Sequence, residues 1–313
     1  MRILLTGASG QLGWEMRREL LMFGDVQCPG STQLDLANPN KTREHVLDSG
    51  ANLIVNCAAY TAVDQAESEP DIADAVNHRS AAALADACNQ AGAALVHFST
   101  DYVFGDMGSV AMSEDHTASP IGVYGKTKLN GERAIRESGC PHFIFRTSWV
   151  YASRGKNFLL TMLRLASQGK PLRIVSDQWG APTPARLIAG AATHCMARAG
   201  LVGGLPSSIN ALQGTYNLCA GGFTTWHGFA AEIFRLREEL TGRDAPSIEA
   251  ISTEQFPTPA RRQSNSRMQV ERLRSQFGLH MPSWQDALLP VLTEALTVSP
   301  DSTGSTGNLR GPQ

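Results

Sequence analysis

Arg2-Ile3-Leu4-Leu5-Thr6-Gly7-Ala8-Ser9-Gly10-Gln11-Leu12-Gly13 carries an apolar run into a glycine-punctuated turn. Ile3–Leu5 reads as a buried strand, and the stretch from Gln11 to Phe23 reads as an amphipathic helix. Gly7, Gly10 and Gly13 fall at three-residue intervals between and within them. In such a unit glycine allows a tight turn and close approach of backbone to a ligand, while the unpaired N–H groups of the helix start attract an anion. With 29 glycines in 313 residues the spacing alone arises by chance about 0.25 times, so the information lies in its place between strand and helix. Gly7, Gly10, Gln11, Leu12 and Gly13 are therefore expected to cradle the pyrophosphate of a dinucleotide.

The next strand, around Val26-Gln27-Cys28, is expected to end beside the adenosine ribose. Pro29-Gly30-Ser31-Thr32-Gln33 follows it, with neither a carboxylate for a 2′-hydroxyl nor an arginine for a 2′-phosphate. Small hydroxyl residues leave room for the phosphate, which favours NADPH and keeps NADH open. Asp35-Leu36 comes next, where an acidic side chain can meet the adenine amino group.

The same alternation continues. Leu53–Asn56, Leu95–Ser99 and Phe143–Arg146 read as strands, separated by helices at about 71–91 and 125–137. Alternating strands and helices predict βαβ units, hence an α/β, Rossmann-like doubly wound parallel sheet. After about Tyr151 the regularity weakens, and Ala181-Pro182-Thr183-Pro184 and Phe256-Pro257-Thr258-Pro259 read as loops and extended pieces of a second lobe. We expect residues 1–152 to form the nucleotide-binding domain. Residues 153–298 would form a smaller, interleaved substrate lobe with segments returning to the sheet, and 299–313 a disordered polar tail.

Composition narrows the function class. Twenty-seven basic against 29 acidic residues give a net charge of −2, which offers no basic face for nucleic acid. No apolar run approaches a membrane span, and no secretory signal is evident. Six scattered cysteines contain no Cys-x-x-Cys pair, and eight histidines show no zinc-like spacing. A reduced, cytoplasmic protein without a structural metal is expected.

Tyr124-Gly125-Lys126-Thr127-Lys128 places a tyrosine and a lysine four residues apart, on one helix face. Lysine occurs only at 41, 126, 128, 156 and 170, so this spacing arises by chance about 0.08 times. A free phenol, with pKa about 10, exchanges protons poorly at neutral pH, and a neighbouring cation favours the phenolate. Lys128 is thus expected to lower the Tyr124 pKa and to hold a nicotinamide ribose. Ser99-Thr100-Asp101-Tyr102 follows a strand directly, at the sheet edge that faces the ligand crevice, where a hydroxyl can bond the oxygen that changes protonation.

These residues resemble the extended short-chain dehydrogenase/reductases and, among them, the dTDP-4-dehydrorhamnose reductase family. The resemblance spans Gly7–Gly13, Asn56–Asp64, Ser99–Phe104, Tyr124–Lys128, Arg146–Tyr151, Asp177–Thr183 and Thr225–Ala230. It implies NAD(P)H-dependent reduction of the C4 ketone of dTDP-4-dehydro-L-rhamnose to dTDP-L-rhamnose, with Tyr124, Lys128 and Thr100 catalytic. It also implies Ala59, Tyr60 and Thr61 beside the nicotinamide. Thr100, Asp101, Trp149 and Asn157 would lie at the sugar nucleotide, with Trp149 packed on the sugar. Arg261-Arg262 would face the diphosphate, a role equally consistent with a solvated surface pair.

Two departures stand out. Phe104 is followed by Gly105-Asp106 where the family has Asp-Gly. Some relatives dimerise through magnesium held by glutamates; Glu15 and Glu294 match, but Gly190 stands at the expected middle ligand. That argues against a magnesium-bridged dimer and for a monomer or weak homodimer. A dehydratase is disfavoured because Thr100 is followed by Asp101-Tyr102 rather than Asp-Glu. Reduction of another dTDP-4-keto-6-deoxysugar stays open. So does a non-catalytic subunit resembling the regulatory subunit of methionine adenosyltransferase.

Overall fold

The apolar runs of the first half become the centre of one sheet in the computed structural model, which describes residues 1–106, 108–203 and 209–298. Its strands are β1 (Arg2–Thr6), β2 (Asp25–Gln27), β3 (Leu53–Asn56), β4 (Ala94–Thr100), β5 (His142–Thr147) and β6 (Gly214–Asn217). All pair in parallel, in the order β2-β1-β3-β4-β5-β6. The order reverses between β1 and β3, and a ligand crevice opens beyond the carboxyl ends of strands at such a switch point.

The principal helices are α1 (Gln11–Leu20), α2 (Pro39–Ser49), α3 (Ser80–Ala91), α4 (Val123–Glu137), α5 (Phe158–Ala166), α6 (Ala185–Arg198), α7 (Trp226–Thr241), α8 (Glu271–Phe277) and α9 (Trp284–Val298). Side chains alternate across a strand, so each apolar run serves both faces. Ile3, Leu5, Val55, Phe143 and Phe145 pack with Met16 of α1, Ile188 of α6 and Phe277 of α8. Leu4, Ile54, Leu95 and Ile144 turn the other way, onto Val46 of α2, Leu84 of α3 and Ile135 of α4. A second apolar core gathers Leu159, Phe229, Ile233, Leu288 and Leu292 from α5, α7 and α9, beside Leu172–Val175 paired with Ile248–Ile251.

Two local expectations are revised. The helix expected over 71–91 is broken: Pro70–Asp74 leads through a π turn at Ala75–Arg79 into α3. The turn lets α4 approach closely, since any side chain at Gly131 would overlap the Asn77 carbonyl. Helix α1 ends at Leu20, short of Phe23. In the segment expected as loop and extended chain at Ala181–Pro184, Thr183–Pro184 forms a short strand paired with Val150–Tyr151. The expected tail, 299–313, lies outside the described residues. Among the described residues no helix is long and apolar enough to cross a membrane.

Candidate active site

The first turn of the chain builds a cavity of about 520 Å³ against the ends of β1 and β3. Gly7 adopts φ +68°, and a Cβ there would lie 2.7 Å from the Ala58 nitrogen. A side chain at Gly13 would overlap the Gly7 carbonyl, which itself accepts from the Gly10 N–H at 2.9 Å. Backbone therefore lies against backbone at the mouth of α1, a cradle whose shape fits a dinucleotide pyrophosphate. Asp35 and Leu36 line the cavity, as does Ala59. The Asp35 carboxylate also accepts from the Ala37 N–H at 2.9 Å.

Tyr60 points elsewhere. Its hydroxyl donates to Glu69 at 2.7 Å, its backbone is clamped by the Asn77 side chain, and Thr61 is exposed. Gln11 and Asn157 meet each other, the Asn157 amide donating to Gln11 at 2.8 Å. Asn157 also caps α5 by accepting from Leu160 and donates to the Ala152 and Arg154 carbonyls, so its side chain is occupied in holding the 152–157 loop.

Thr100 closes β4, and Tyr124 and Lys128 stand one turn apart on α4. Gly125 allows this meeting, because a side chain there would overlap the Tyr102 carbonyl. The Tyr124 phenol lies beside Thr100, whose hydroxyl favours the ionised form, and its ring lies edge-on to Tyr102, 5.4 Å between centroids. Thr100 Oγ1 donates to Asp101 Oδ1 at 2.9 Å. Burial pushes the Asp101 carboxyl up to about 6, against hydrogen bonds from Ser266, Thr100 and Gln263.

Lys128 corrects one expectation. Its Nζ turns to the Phe98 carbonyl at 2.6 Å and His97 Nε2 at 3.1 Å. The Tyr124 phenol is accordingly pushed up rather than down, first by burial and then by Asp101 and Tyr102, with only the Thr100 hydroxyl opposing. Burial lowers Lys128 to about 8 although Glu132 and Cys57 pull upward.

Behind the lysine runs a buried relay invisible to motif reading. Asn56 Oδ1 accepts from Thr6 Oγ1 at 2.6 Å and from the Ala58 N–H at 3.2 Å. An N–H can only donate, so the Asn56 Nδ2 faces His97 Nδ1, 3.0 Å away. His97 thus sits between Asn56 Nδ2 at its Nδ1 and Lys128 Nζ at its Nε2. Burial and then the Lys128 charge hold His97 well below its usual pKa, in keeping with the neutral ring.

One turn beyond Lys128, buried Glu132 takes both Nε and Nη2 of Arg146 on β5, at 2.9 and 2.7 Å, plus the Ser99 hydroxyl at 2.6 Å. Burial alone would raise this carboxyl, but Arg146, Ser99 and Arg136 hold it below the usual range.

On the second lobe, Trp149 takes the left-handed φ of +46° and stacks on Trp226 at 3.6 Å and 7°. Gln178 orients that partner, accepting from Trp226 Nε1 at 3.2 Å, while Asp177 pins the Thr253 turn. A further cavity of about 620 Å³ is lined by Asp106, Asp177 and the 252–264 segment, including Arg261. Arg262 is committed to Asp64 at 2.6 Å and to the Tyr102 hydroxyl at 3.2 Å. The Gly105-Asp106 order has a local reason: Gly105 takes φ +73° against the Ser119 carbonyl, and Asp106 accepts from the Ser264 hydroxyl at 2.6 Å.

Glu15 and Glu294 do face a cation, and it is a guanidinium. Arg186 Nε lies 3.8 Å from Glu15 and Nη2 2.5 Å from Glu294, whereas Gly190 has open space beside it. With the charge between the two carboxylates supplied from α6, these residues do not fit a bridging magnesium ion.

Residues 1–297 match the family model described as RmlD substrate binding domain. The chain is 42% identical to the dTDP-4-dehydrorhamnose reductase of Salmonella typhimurium, over 96% of this chain and 99% of that one. A dTDP-4-dehydrorhamnose reductase crystal structure from Clostridium acetobutylicum superposes with a TM-score of 0.84 at 33% identity, covering 94% and 99%. One from Bacillus anthracis, in complex with NADP, gives 0.82 at 34% identity over the same shares. The chain therefore belongs to the dTDP-4-dehydrorhamnose reductase family, a group of Rossmann-fold oxidoreductases among the extended short-chain dehydrogenases.

Proposed function

We propose that the chain reduces the C4 ketone of dTDP-4-dehydro-L-rhamnose to dTDP-L-rhamnose, with NADPH preferred over NADH. The observation that carries this reading is the meeting of Tyr124 with Thr100 at the carboxyl end of β4, one turn from Lys128, on the sheet edge that bears the glycine cradle. Gly7, Gly10 and Gly13 would hold the cofactor pyrophosphate, and Asp35 and Leu36 its adenine. NADPH, when bound, supplies the hydride for C4.

Tyr124 Oη donates the proton that the C4 oxygen gains. Burial keeps the phenol protonated at rest, which is the loaded state of a general acid. Thr100 Oγ1 holds the same oxygen. The phenolate left behind is stabilised by the Thr100 hydroxyl. Lys128 has three donors, and beyond the Phe98 carbonyl and His97 one is left to reach a nicotinamide ribose.

Trp149, braced by Trp226, offers an aromatic surface to the sugar, with Asp101 near the reacting oxygen. Arg261 faces the cavity that suits the nucleotide diphosphate. Asn157 would act indirectly, by fixing the loop over Gln11. In this reading residues 1–152 make the cofactor lobe and 153–298 mainly the sugar-nucleotide lobe, with α6 and β6 returning to the sheet.

The test is NADPH oxidation by the purified chain across a panel of dTDP-4-keto-6-deoxysugars. Turnover of the rhamnose precursor above the others supports the reading. Faster turnover of a different ketosugar would replace the substrate, and cofactor binding without any turnover would favour a regulatory subunit.

A further inference from the structure

We propose that Arg17, which lines the same cavity as Ser31, is the subsite for the adenosine 2′-phosphate and so sets the preference for NADPH. This deepens the reading of the glycine-lined cavity as a dinucleotide site and rests on it. NADPH differs from NADH by one phosphate on the adenosine ribose, and the ribose lies beyond the end of the second strand in folds of this kind. Here that wall is made of Cys28, Gly30 and Ser31, and the space beside Gly30 is open. The Pro29–Gln33 segment brings no carboxylate to engage a 2′-hydroxyl.

The cation missing from that segment comes from helix α1. Arg17 lines the same cavity, and its charge is felt at the Cys28 thiol. It is exposed and has no carboxylate within 4.0 Å among the described residues, while neighbouring Arg18 lies 3.6 Å from Glu15. An arginine without an acidic partner, set at a wall with room beside it, presents its full charge and forked donors to an incoming phosphate.

A second arginine in the cavity has a different place. Arg154 stacks on the Trp14 ring at 3.8 Å, and its loop is tied to Gln11 at the start of α1. Its Nη1 is buried without a hydrogen-bond partner among the described residues. From that place beside the start of α1, Arg154 is expected to serve the diphosphate common to both cofactors, and so NADPH and NADH alike.

Dissociation constants for NADPH and NADH, read by fluorescence titration without any sugar, separate these roles. Arg17→Ala should weaken NADPH about 10- to 100-fold and leave NADH within about twofold. Arg154→Ala should weaken both equally. NADPH binding to the wild-type chain should also fall more steeply with salt than NADH binding. Equal losses of both nucleotides in Arg17→Ala, no loss, or a selective loss in Arg154→Ala would overturn the assignment. A wild-type chain that binds neither nucleotide would overturn the dinucleotide reading of the cavity itself.

Discussion

Lys128 is 1% exposed, and its proton is the most finely placed charge in the site. Its pKa of about 8 lies below the ordinary lysine value because the charged form is desolvated. The ammonium is therefore present below that pH and lost as the pH rises through it. With the ammonium proposed to hold the nicotinamide ribose, kcat/KM for ketone reduction should fall through about pH 8, and the residual activity of Lys128→Met should lack that limb. An alkaline limb appearing only above about pH 10 would mean the lysine keeps its ordinary pKa. Tyr124→Phe should keep NADPH affinity and lose turnover about 10²-fold or more. Near-full activity in that variant, measured by steady-state kinetics, would remove Tyr124 as proton donor. The Tyr–Lys spacing was legible in the sequence because both residues sit on one helix. Asn56 and His97 were not, because their contact depends on β3 lying beside β4, a register no local pattern states. Arg17 escaped for a similar reason: only the packed helix brings it to the end of β2.

At the scale of elements, α4 carries the chemistry and Glu132 fixes it to β5. Both partners are buried, so Glu132→Ala leaves the Arg146 charge uncompensated and should cost about 3–5 kcal/mol in urea unfolding. A loss below about 1 kcal/mol would show that the ion pair does not anchor the helix. Gly131→Ala should also destabilise, by about 1–3 kcal/mol, because the added methyl meets the Asn77 carbonyl of the π turn. An unchanged unfolding midpoint would mean the two helices can separate freely. The alternation of strands and helices was readable from apolar runs alone. The π turn was not, since it answers to the approach of α4 and not to the residues that form it.

For the whole molecule, the sheet order brings the ends of β1, β3 and β4 to one edge, so glycine cradle and proton donor share a crevice although about 120 residues separate them in the chain. With Arg186 bridging Glu15 and Glu294, magnesium or EDTA is expected to leave the mass by light scattering unchanged. A magnesium-dependent shift in mass would contradict that bridge. The sequence marked Gly190 at this point, whereas the folded helix turns Arg186 to the carboxylates. The most direct test of the reaction itself uses NADPH deuterated at the transferred position, with dTDP-4-dehydro-L-rhamnose, and locates the label in the product by NMR. The expected product is dTDP-L-rhamnose deuterated at C4 of the sugar, and label at another carbon, or none, would contradict C4 reduction by this chain.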